Sequence, residues 1–170
     1  MSRPQADEYD QYYETYVSLV PEDDIKSVLA AQPGELDALI RSAPESKGTF
    51  AYAAGKWSVK QLLGHVIDGE RMFAYRIFRI SRGDQTPIEG FEQDGYIENA
   101  HSNERSFDDL LNEFSLLRQA NMCFFNVLKD DAWTRIGTAN EQQISVRALA
   151  WIMAGHVRHH IGILKERYLS

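Results

Sequence analysis

The sequence predicts an all-α fold, an antiparallel four-helix bundle with one long connection over 82–105. Three observations point there: apolar residues recur at three- and four-residue spacings, no strand-length stretch alternates cleanly with a period of two, and helix-start signals fall at Ser58 and Ser106. The chain has 170 residues, 44% of them hydrophobic and 11% aromatic, which suits one domain over 1–170 with a substantial core. No internal repeat or low-complexity tract divides it.

The first helix is expected to start near Glu22, after Pro21, and to turn Ile25, Val28, Leu29, Leu36, Leu39 and Ile40 inward. Pro33-Gly34 should kink or split it. The second is the best marked: Ser58 with Gln61 makes a capping box, Trp57 and Leu62 sit at staple positions, and the helix runs to about Ser81. A third begins at Ser106, with Asp109 three residues on, and carries Leu110, Phe114, Leu117, Phe124 and Leu128 to about Lys129. The last spans about Ser145 to Tyr168. The connection from Arg82 to Arg105 has weak helical signals, and loops of that length inside domains are often lids or binding segments.

Charge and cysteine content narrow the function. With 18 Lys+Arg against 25 Asp+Glu the formal charge is -7, the wrong sign for neutralising phosphates, so nucleic acid is not an expected partner. Cys123 is the single cysteine, so neither an internal disulfide nor a thiolate-rich metal site is available. It reads as a small buried hydrophobe among Met122, Phe124 and Phe125, in a reducing compartment. No segment resembles a signal peptide or approaches the ~20 apolar residues that cross a bilayer, so the expected location is cytoplasmic, with no membrane partner.

Histidine is the informative residue type. Of the five, His156 and His160 lie roughly 40° apart on the last helix, on the stripe of Leu149, Met153 and Ile163. His65 shares the inward stripe of Leu62, Gly69 and Met72 on the second helix. Buried imidazoles need partners, and a divalent ion such as Zn²⁺ would take nitrogens from all three; hydrogen-bonded core histidines are the alternative. His159 falls toward the edge of the stripe, and His101 lies in the long connection.

Around these histidines the residues also match a known family. The segments GKWSVKQLLGHVIDGERMFAYRIFRISRGD, FEQDGYIENAHSNERSFDDLL and SVRALAWIMAGHVRHHIGILKERY resemble the DinB-like superfamily, in particular its YfiT-like branch of metal-dependent hydrolases. The resemblance covers most of the chain. It implies a four-helix bundle, frequent homodimers, and zinc or nickel held by His65, His156 and His160 with open positions for water or substrate. Some members of the family are transferases or isomerases that depend on bacillithiol or mycothiol, and others carry the hydrolase label.

An open three-histidine site makes a nucleophile of water or of a thiol. The expected partner is therefore a small-molecule substrate, with a low-molecular-weight thiol as a possible cosubstrate. Arg76, Arg79 and Arg147 are candidates to bind such a cosubstrate, although each could instead pair with the acidic excess. Asp68, three residues after His65, is a candidate general base or a partner that orients an imidazole; Asp68 and Glu70 could equally be solvated helix charges. Tyr96, Glu98 and Asn99 could line the mouth. The contrasting reading is a non-catalytic protein whose metal is structural or sensory, which a fourth protein ligand would favour.

Overall fold

The computed structural model describes residues 1–169. Four long helices form the body: α2 (Ile25–Arg41), α3 (Val59–Ser81), α5 (Phe107–Asn126) and α7 (Val146–Ile163), the last continuing as a π-helix over Leu164–Tyr168. Short helices α1 (Glu14–Val17), α4 (Gln93–Asn99) and α6 (Asp130–Trp133) and a hairpin of β1 (Ile136–Ala139) and β2 (Gln142–Ser145) connect or flank them.

Local chemistry sets the helix starts. Ser58 Oγ accepts from Gln61 N–H at 3.1 Å while Gln61 Oε1 accepts from Ser58 N–H at 2.9 Å, a reciprocal box. Ser106 and Ser145 cap α5 and α7 by accepting from the amides of Asp109 and Ala148. The first long helix starts at Ile25 rather than near Glu22, because Asp24 supplies the cap to Ser27. Pro33 lies inside this helix without splitting it. Proline cannot donate to the carbonyl four residues back, which is that of Leu29, and Arg118 Nη1 donates to that carbonyl at 2.7 Å instead.

The order of the helices explains the long connection. Helix α3 packs on α7 and α5, and α2 packs on α5 and α7. One apolar cluster joins Ile25, Val28 and Leu29 of α2 to Phe73, Ile77 and Ile80 of α3, Phe125 of α5 and Leu149 to Ala154 of α7. A second joins Leu36 and Ile40 of α2, Leu62, Leu63, Val66 and Ile67 of α3, Phe107, Leu110, Leu111 and Phe114 of α5, and Val157 and Ile161 of α7. Helices α3 and α5 therefore run side by side in the same direction, antiparallel to α2 and α7. A same-direction pair needs a return along the bundle, and residues 82–105 make it, carrying α4 and a 3₁₀ turn at Ser102–Glu104 on the way.

Between the two clusters lies a polar layer with a member from each long helix: Gln32, Glu70, Arg118 and His156, all buried. Arg118 binds Glu70 with Nε and Nη2 at 2.8 and 2.7 Å, and its Nη1 also meets Gln32 Oε1 at 2.8 Å. Gln32 Nε2 donates to the Ala154 carbonyl at 2.7 Å. Glu70 is thus a buried ion-pair partner and not a solvated helix charge.

Three other features depart from the sequence reading. The hairpin pairs Ile136 with Ser145 and turns through Asn140 and Glu141, both at positive φ. Cys123 is exposed rather than buried. The third helix stops at Asn126, and Lys129 instead precedes α6. No described helix is long and apolar enough to cross a membrane.

Candidate metal centre

The antiparallel pairing of α3 with α7 brings His65 opposite the i, i+4 pair His156 and His160. His156 Nε2 lies 2.9 Å from His65 Nε2 and 3.2 Å from His160 Nε2, and all three rings are buried. One donor nitrogen from each lies within 4.8 Å of the others. Gly69, one turn after His65, leaves the space in which the His156 ring sits: a Cβ there would stand 2.7 Å from His156 Cε1. Tyr16 and Phe73 meet the same ring edge-on at centroid distances of 5.6 and 5.5 Å. Trp57 packs on His65 at 4.8 Å, so it does more than staple the helix.

Electrostatics keep these rings neutral. Burial, reinforced by neighbouring imidazoles, lowers His65 to about 4 and His160 to about 2, and holds His156 well below the ordinary range. His65 also feels the opposing pull of Asp94. A single Nε2 carries either one proton or one lone pair, so three neutral nitrogens facing one point cannot all satisfy one another. A cation that accepts three lone pairs removes the conflict. Tetrahedral ligands at about 2.0–2.1 Å from a zinc ion stand roughly 3.3 Å apart, close to the two separations found here. The donor set therefore fits a borderline divalent ion. His160 Nδ1 is buried without a hydrogen-bond partner, so its ring is held by α7 and the rings of His65, His156 and His159.

Two cavities reach the histidines. One, of about 330 Å³, touches His160 and is lined by Tyr52, Trp57, Asp94 and Tyr168. The other, of about 240 Å³, touches His65 and His156 and is lined by Tyr16, Phe73, Arg76 and Asn140. Tyr16 is half-buried, and burial together with Tyr12 pushes its phenol pKa up, so it stays protonated at neutral pH.

The other candidate residues are placed as follows. Arg76 is buried and faces the smaller cavity. Arg147 is bound to Glu8, and to Ser2 Oγ at 2.8 Å, and lines neither cavity. Arg79 pairs with Asp84 and Tyr75. Asp68 is half-buried beside the charges of Arg71 and Glu113, outside both cavities and outside the histidine cluster. Burial raises its pKa. The carboxylates that line the two histidine cavities are Asp94 on α4, in the larger, and Glu92 just before it, in the smaller; both lie in the connection whose weak helical signals gave no reason to single them out. His101 is exposed, at φ 49°, and lies 3.6 Å from Glu104. Tyr96, Glu98 and Asn99 line neither cavity at the histidines.

Comparison with known proteins places this arrangement. The family model of the DinB superfamily matches residues 29–164, which include all three histidines. Among solved structures, YfiT from Bacillus subtilis, described as having an unusual four-helix bundle topology, is similar with a TM-score of 0.76 at 17% identity, over 96% of this chain and 89% of that one. A mycothiol-dependent maleylpyruvate isomerase is similar with a TM-score of 0.68 at 15% identity, over 82% of this chain and 58% of that one. No curated protein sequence matches.

Proposed function

The chain belongs to the DinB superfamily, and within it we propose a metal-dependent enzyme whose three-histidine centre activates a small nucleophile, a low-molecular-weight thiol first among them. The convergence of three neutral, buried Nε2 atoms carries this reading. A zinc or nickel ion held by His65, His156 and His160 supplies Lewis-acid chemistry, favouring the anionic form of a thiol or water near neutral pH.

The protein's own groups do the rest. Burial keeps the three imidazoles unprotonated, so their lone pairs stay available at neutral pH. Tyr16, protonated beside His156, is a hydrogen-bond donor to a reactant in the smaller cavity. Asp94, in the larger cavity, offers a carboxylate oxygen to accept the proton an incoming nucleophile gives up. Phe73 and Trp57 limit water at the rings.

Two cavities ending on different histidines give two reactants separate approaches, which favours thiol transfer to an electrophile over hydrolysis. The mycothiol dependence of the similar isomerase supports this. Hydrolysis is the second reading, supported by the description of YfiT as "a probable metal-dependent hydrolase". Among the described residues no fourth His, Cys, Asp or Glu joins the ligand group, which weighs against a closed structural site. A homodimer in the cytoplasm belongs to the same reading.

The test is a screen of the protein loaded with zinc or with nickel. Bacillithiol, mycothiol, glutathione and cysteine are each offered with 1-chloro-2,4-dinitrobenzene, beside ester and amide substrates. Thiol conjugation that disappears in His160→Ala supports the proposal. Ester or amide turnover alone replaces it with hydrolysis, and no turnover of any kind favours a structural or sensory metal.

A further inference from the structure

Two arginines are more than nine-tenths buried, Arg118 and Arg76. Arg118 is fully met by Glu70, Gln32 and the Leu29 carbonyl. Arg76 is not. Its guanidinium makes one long hydrogen bond, from Nη2 to the Glu89 carbonyl at 3.5 Å, its Nε is buried without a partner, and it enters no ion pair among the described residues. Arginine cannot shed its proton to relieve burial, so an unpaired guanidinium inside a fold is costly unless an anion completes it.

The place of Arg76 says which anion. It stands eleven residues after His65 on α3, on the same face to within about 20°, and it lines the cavity that ends on His65 and His156. The backbone rise between them is about 16 Å, and helical side chains lean toward the N-terminus, so the guanidinium reaches back toward the histidines. Between the two ends Tyr13, Tyr16, Phe73 and Phe91 present rings, beside the polar side chains of Glu92, Gln93 and Asn140, and Glu92 forms no ion pair with Arg76. The volume of about 240 Å³ is below the usual range for drug-sized ligands.

We propose that Arg76 is a carboxylate receptor, and that one reactant of this centre is a small, extended organic acid. Its carboxylate is held in the fork of Arg76, its apolar or unsaturated body lies along Tyr16 and Phe73, and its reactive end is directed at the histidines. What then happens to the bound acid rests on the reading of the histidines as a reactive centre; the binding itself does not.

The experiment is isothermal titration of the protein, both metal-loaded and chelator-stripped, with hexanoate, its uncharged analogue hexanamide, and inorganic phosphate. Hexanoate is expected to bind both forms at least tenfold more tightly than hexanamide or phosphate. Arg76→Met is expected to lose that preference while retaining the metal content of the wild type, and Arg76→Lys to recover part of it. Equal binding of hexanoate and hexanamide overturns the proposal, as does hexanoate binding that needs metal and survives Arg76→Met, or phosphate binding as tight as hexanoate. If Arg76→Met fails to fold, the wild-type ligand comparison and Arg76→Lys still decide. Failure of the metal reading is distinct, because it appears as wild-type protein that takes up no stoichiometric metal while the anion titration stands.

Discussion

The imidazole of His156 occupies the space that a side chain at Gly69 would fill, with Cε1 only 2.7 Å from where a Cβ would stand. Helix α3 thus contributes one imidazole at His65 and, one turn later, the gap that lets α7 bring a second beside it. Gly69→Ala should displace the ring and weaken metal affinity by roughly 10–100-fold, the usual scale for groups that orient ligands. The gain in helix propensity, about 1 kcal/mol, should partly offset the strain, so helicity is retained. Competition titration against a chromogenic chelator, beside circular dichroism, checks both.

The polar layer should be a large term in stability. Glu70→Ala leaves Arg118 buried without its carboxylate, and the expected cost is about 3–5 kcal/mol in urea unfolding. The double variant Glu70→Met, Arg118→Met removes both charges and should recover much of it. A double variant as unstable as the single one would mean that the ion pair itself, and not the unpaired charge, carries the effect.

The metal-free protein should be sensitive to acid. His65, lowered to about 4 mainly by burial, and His160, lowered to about 2, bind protons less readily folded than unfolded. Their neutral forms therefore stabilise the fold fully above the unfolded pKa near 6.5, and that contribution is lost as pH falls from there toward 4 and below. Each such group adds a slope of about 1.4 kcal/mol per pH unit inside its window. Urea unfolding of chelated protein between pH 7 and 4 checks this, and His160→Gln should make the slope shallower.

Arg147 should prove structural. It ties Glu8, and through it the N-terminal segment, to the start of α7, where Ser145 Oγ also donates to Glu8 at 2.6 Å. Burial alone would raise the Glu8 carboxyl, but the hydrogen bonds from Arg147, Ser145 and the Gln5 amide outweigh it and hold the pKa below the usual range. Arg147→Gln should cost on the order of 1–3 kcal/mol in urea unfolding and leave metal content unchanged. Metal loss in that variant would contradict the assignment.

What the sequence revealed follows from the range of the interactions. The capping box at Ser58 and Gln61 and the stripe shared by His65 and Gly69 are local, so spacing alone exposes them. The convergence of His65 with His156 is not local: their inward stripes place both in one interior, and it is the resemblance to the DinB-like family that joins them as one site. Glu70 and Arg118 are 48 residues apart and look like any helix charges until the bundle closes on them. The hairpin turn at Asn140 and Glu141 lacks the glycine that usually announces two positive φ values. The parallel run of α3 beside α5 had one sequence trace, the length of 82–105, because the chain must return before α5 can start.

A metal centre of three histidines predicts a defined metal stoichiometry. Inductively coupled plasma measurement on purified wild type, His65→Ala, His156→Ala, His160→Ala and His159→Ala, each after incubation with zinc or nickel and desalting, should give one ion per chain in the wild type and in His159→Ala. The three triad variants should remain helical and hold almost none. Stoichiometric metal in any triad variant, or none in the wild type, would rule out the three-histidine centre.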